Sequence, residues 1–132
     1  MKITLDKSKL KRVTRAVEEA FGDTVAALDK EFIDVIEDPN EFGDLGFRNQ
    51  DIVDTGRFRD SQSVEDGRAG DVTTVKWNWA PVDPETGLAY APHLYTGFAV
   101  GSKWIQGRPW PERAVKRCDP GKIFEDGVKN RL

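Results

Sequence analysis

The sequence predicts an α+β fold in one domain across residues 1–132. A long N-terminal helix packs on a small, mainly antiparallel β-sheet, and a short C-terminal helix completes the chain. Three patterns predict it. From Leu10 to Ile36 apolar residues recur at three- and four-residue steps, the spacing of an amphipathic helix. Thr73, Val75, Trp77 and Trp79 alternate with Val72, Thr74, Lys76 and Asn78, the period of a half-buried strand. Pro109-Trp110-Pro111-Glu112 then opens a helix, because proline fits the first helical turn. The helix falls in 1–38, the sheet region in 54–106, and the last helix with its tail in 109–132.

In order, the long helix runs from about residue 6 to 37. Asp6 or Ser8 caps its start, and Pro39 prevents continuation beyond Asp38. Gly22 marks a kink or a close helix contact; a split into two helices there is the alternative. A helix of this length is about 48 Å long, more than a domain of this size covers, so part of its apolar face is expected to pack on another subunit. Its charges oppose its dipole: Lys7, Lys9, Lys11, Arg12 and Arg15 lie at the start, and Glu31, Asp34, Glu37 and Asp38 at the end. A neutralising partner surface would account for that.

Residues 40–53 read as a loop with room for a helical turn. Thr55-Gly56 is a sharp turning point, and Arg57-Phe58-Arg59 sets one aromatic between two cations, which suits a half-buried segment opening the sheet region. Ser61 to Asp66 reads as a strand and 66–71 as a turn by composition, before the alternating strand. Trp77 and Trp79 share one face, toward the long helix or a neighbouring subunit. Pro81, Pro84 and Gly87 mark a second loop, and Phe98 to Ile105 forms a strand or a loop excursion. Asp119-Pro120-Gly121 ends the helix carrying Ala114, Val115 and Cys118, leaving a short helix or loose tail.

Composition narrows the chemistry. Net charge is −3, distributed as −6 over residues 1–66 and +4 over 96–132, so opposite surfaces are expected to face different partners. The acidic balance argues against a dedicated DNA binder, although the clustered Trp, Tyr and Arg residues could stack on single-stranded nucleic acid. No apolar run approaches the ~20 residues that span a bilayer, and Met1 to Lys7 lacks the apolar centre of a signal peptide, so a cytoplasmic origin is expected. One cysteine, Cys118, and one histidine, His93, make a structural zinc site implausible. Cys118 sits among Arg113, Lys116 and Arg117, which would lower its pKa if exposed; a packed helical cysteine is the preferred reading. Ile52-Val53-Asp54-Thr55-Gly56 supports a second function class, a homodimeric aspartic protease in which each subunit supplies one carboxylate. Arg57 stands where those enzymes place a small residue, and their folds are nearly all β.

Three segments in order carry a resemblance: Val53-Asp54-Thr55-Gly56-Arg57-Phe58-Arg59-Asp60-Ser61, Tyr90-Ala91-Pro92-His93-Leu94-Tyr95-Thr96-Gly97, and Arg108-Pro109-Trp110-Pro111-Glu112-Arg113-Ala114. With the long helix before them, they resemble the head–tail joining, or tail-completion, family of long-tailed bacteriophages over nearly the whole chain. Phe58 departs from the usual Leu of that pattern. The resemblance implies a structural virion protein of the neck, made in the bacterial host cytoplasm. It would form a ring, commonly a hexamer, that joins the capsid connector to the tail and lets DNA pass. The implied partners are further copies of the chain, the connector, adaptor or stopper protein, and the tail tube or tail terminator, with no membrane. No catalytic, cofactor or metal residue follows from it. Phe58, Trp77, Trp79 and Trp110 are then packing anchors, Tyr90 and Tyr95 packing or interface residues, and Arg57, Arg59, Arg108 and Arg113 interface or orienting residues. Glu31, Asp34 and Glu37 are candidates to line a DNA channel.

Overall fold

The computed structural model describes residues 6–47, 55–70 and 72–132. Helix α1 spans Lys7–Glu37 without interruption at Gly22. Asp6 caps it by accepting a hydrogen bond from the Ser8 backbone N–H at 2.9 Å, which satisfies one donor that the first turn leaves orphaned. A 3₁₀ turn, Gly43–Leu45, follows.

The segment at Thr55–Asp60 is a short helix, α2, not the first part of the sheet. Phe58 decides this: its side chain is wholly buried, and one helical turn lets it point inward while Arg57 stays exposed and Arg59 reaches the end of α1. The sheet region therefore begins at Ser63. Strands β1, Ser63–Ala69, and β2, Val72–Asn78, form an antiparallel hairpin in which Val64 faces Trp77 and Asp66 faces Val75. Residues 66–69 belong to β1, so the turn is tighter than composition suggested, and Gly70 makes it at a φ of 61°.

Helix α3, Ala91–Thr96, leads into a second hairpin, β3 (Gly97–Val100) with β4 (Lys103–Gln106). The strands thus form two separate two-stranded sheets. Helix α4, Trp110–Cys118, starts at the expected prolines. Asp119 adopts a left-handed conformation, φ 50°, and turns the chain into α5, Pro120–Arg131, a regular helix where a tail was the alternative.

Helix α5 lies along the first half of α1. Gly127 brings the two backbones close: a methyl group there would sit 3.0 Å from the Ala20 Cβ. Arg131 pairs with Glu19 at 3.1 Å and with Asp23. The chain thus covers part of the long helix with its own C-terminus, on the side carrying Ala16 and Ala20. The main core lies at the other end, where Phe32, Val35 and Ile36 of α1 meet Phe42, Phe58, Leu94, Trp110 and Ala114. No helix among the described residues is long and apolar enough to cross a membrane.

Candidate functional site

The segments carrying the resemblance converge on this core. Phe58 of α2 stands edge-on to Trp110 of α4, ring centres 4.7 Å apart at 89°. Trp79 and Tyr95 meet the same indole at 5.6 and 5.7 Å, both close to perpendicular. Edge-to-face packing sets the positive rim of one ring on the negative face of another, which favours one arrangement over many. Trp77 and Trp79 both contact Phe32, at 5.2 and 5.0 Å, so their shared face does turn to the long helix. Tyr90 is half-buried against the core.

A polar node holds the hairpin β1–β2 on α1. Asp29 accepts from the Trp77 indole N–H at 2.9 Å and from Gln62 Nε2 at 2.9 Å, and Gln62 Oε1 accepts from the Trp79 indole N–H at 3.0 Å. Sequence reading named both tryptophans and missed Asp29 and Gln62. The signal for them was chemical: half-buried indole N–H groups need acceptors.

The arginines clamp loops to the core. Arg108 is buried, lies 3.8 Å over the Phe47 ring, and its backbone N–H donates to the Leu94 carbonyl at 2.7 Å. Arg113 makes a two-pronged pair with Asp44, at 3.0 and 2.6 Å, and also donates to the Glu41 carbonyl. One turn later Arg117 meets Glu31, Asp38 and Glu41 at 2.9, 3.2 and 3.0 Å. Arg59 pairs with Glu37 and with Asp60. Glu31, Glu37 and Asp38 at the C-terminal end of α1, which suggested a neutralising partner, thus receive their countercharges from α2 and α4. Glu31 and Glu37, read as channel-lining acids, lie in these pairs, and Asp34 is half-buried.

The hydrogen bonds from Arg113 hold the Asp44 carboxyl below the usual carboxylate range. A carboxyl depressed in the folded state stabilises the fold above its unfolded pKa, and this contribution is lost as pH falls through the folded value. NMR titration should place Asp44 below ordinary aspartates and return it toward the ordinary value in Arg113→Gln. An unchanged Asp44 titration in that variant would show that the pair does not form in solution.

Among the described residues, neither His93 nor Cys118 is set up as a nucleophile. His93 is exposed, and the Cys118 thiol is pushed up by burial, with Glu31 and Asp119 adding to it, so the neighbouring cations do not activate it. Thr55 and Gly56 begin α2, and Asp54 lies outside the described residues. Among the described residues no group of three or more His, Cys, Asp or Glu could hold a metal ion. The Tyr95 hydroxyl bonds Glu112, which raises its pKa. The arrangement fixes geometry: three segments distant in sequence are locked together by aromatic edges and arginine forks. Compared with known protein families, curated proteins and solved structures, the chain matches none.

Proposed function

We propose that the protein is a structural component of a bacteriophage neck, forming a ring that joins the capsid connector to the tail and lets DNA pass. The observation that carries this reading is the start of α1. Leu10, Val13 and Val17 lie there on one face, exposed by 50, 43 and 38%, beyond the reach of the main core. An apolar stripe kept in water along a rigid helix is an assembly surface in waiting. The locked core at the other end suits a part that must hold its shape under load. The ordered run of segments resembling head–tail joining proteins supplies the biological setting, and their convergence on one cluster fits a common design.

In this reading the protein acts without catalysis or cofactor. Its partners are its own copies, the connector, adaptor or stopper below, and the tail tube or terminator above. Because arginines match Glu31 and Glu37 within the chain, repulsion of DNA in the channel is assigned to other surfaces. Light scattering over a concentration series tests the proposal. A ring, for a hexamer six times the 14.8 kDa chain mass, is expected alone or once connector or tail proteins are added. A monomer or closed dimer in every mixture would overturn it.

A further inference from the structure

The apolar stripe does not end at Val17. It continues along α1 through Phe21, Val25 and Leu28, which form one wall of a groove whose other wall is the inner face of hairpin β1–β2, with Thr73, Val75 and Trp77. This groove, ≈ 300 Å³, opens into a second of ≈ 410 Å³ toward the hairpin tip, bounded by Glu18 on α1 and by Asp66 and Arg68 on β1. Among the described residues the hairpin is fastened to α1 at its base, by the Asp29 and Gln62 node and by Trp77 against Phe32, and a gap separates its far half from the helix. Two strands alone are marginal in water, and an apolar inner face open to solvent adds to that cost.

Charge indicates what fills the space. Lys9 and Lys11 flank Leu10 on either side of the stripe and have no ion-pair partner among the described residues, whereas Arg12 bonds the Leu132 carbonyl and Arg15 pairs with Glu19. At the groove mouth Glu18 and Asp66 likewise have none. They stand on opposite walls, one on the helix and one on the hairpin. A helix entering with Leu10 and Val13 downward would bring one lysine to each wall.

We propose that the groove receives the first turns of α1 from a second copy of this chain, with Leu10 and Val13 on its apolar floor and Lys9 and Lys11 facing Glu18 and Asp66. The two surfaces are unlike, a projecting helix start and a concave cleft, so the contact is head-to-tail, the kind that closes into a ring when the rotation between copies allows it. It rests on the ring reading above and names the interface within it.

Charge reversal separates the two claims. Lys9→Glu with Lys11→Glu, and separately Glu18→Lys with Asp66→Lys, should each raise the concentration for assembly by at least about tenfold, since like charges then face each other. All four sites are exposed, so circular dichroism should match the wild type. Combining the four substitutions should restore assembly. If the wild type forms rings and the reversed variants do so equally well, this interface is wrong and the ring reading stands. Restoration failing in the fourfold variant also refutes the pairing. A wild type that stays monomeric with every neck component defeats both. Wild-type monomer that sediments with anionic phospholipid vesicles through Lys9 and Lys11 would overturn the interface in favour of a lipid surface.

Discussion

Trp110→Ala is expected to destabilise the protein by about 3–5 kcal/mol, among the largest losses a single truncation can cause. Trp110 is 3% exposed, and its indole is the common neighbour of Phe58, Trp79 and Tyr95. Alanine would leave a cavity beside three aromatic rings, on α2, on α3 and just after β2, and only partial collapse into it is expected. A small domain has about 5–15 kcal/mol of stability in all, so urea denaturation of the variant should show a sharply lowered midpoint with an unchanged slope. The indole N–H has no hydrogen-bond partner among the described residues, so its removal alone breaks no bond there. Trp110→Phe should therefore recover most of the loss. An alanine variant within about 1 kcal/mol of wild type would show that the aromatic cluster is not the centre of the core.

That cluster was only partly legible in the sequence. Trp110, Phe58 and Trp79 could be named because large aromatics near turn signals seldom stay in water, and α1 and β2 could be placed because each repeats one period over many residues. Helix α2 could not. Six residues hold less than two helical turns, and Arg57-Phe58-Arg59 satisfies the alternation of a strand as well as one helical turn; only the core that accepts Phe58 decides. The β1 end was misread for the opposite reason. Gly67 resembles a turn residue, yet it sits in a strand whose residues are all exposed, where a missing side chain forfeits little packing. The acidic end of α1 was visible, but its explanation lies in Arg59 and Arg117, at positions 22 and 79 residues from their partners Glu37 and Asp38. Sequence spacing carries no information about such pairs. The proposed interface shows the same limit: the stripe was readable as surplus apolar surface, but the groove beside it exists only once the hairpin is folded back.

Gly107→Ala is expected to be as damaging as Trp110→Ala, although it adds a single methyl. Gly107 follows β4 and runs against the end of α3; a Cβ there would overlap the Tyr95 carbonyl oxygen and lie 2.8 Å from the Thr96 carbonyl carbon. Both obstacles are backbone, so no side-chain rotation relieves them. Either α3 or the strand exit must shift; at the next residue the Arg108 N–H meets the Leu94 carbonyl at 2.7 Å, and two residues further on Trp110 enters the core. Overpacking against side chains commonly costs about 1–3 kcal/mol, and a backbone obstacle that displaces a buried hydrogen bond belongs at or above the upper end. Gly22 gives the contrast. It lies within α1 with open space around its Cα, so Gly22→Ala should raise stability by up to about 1 kcal/mol through helix propensity alone. Thermal denaturation of the two variants side by side should move the midpoint in opposite directions. If Gly107→Ala melts with the wild type, the chain after β4 can yield to a methyl group beside α3, and the seat of Trp110 does not depend on that contact.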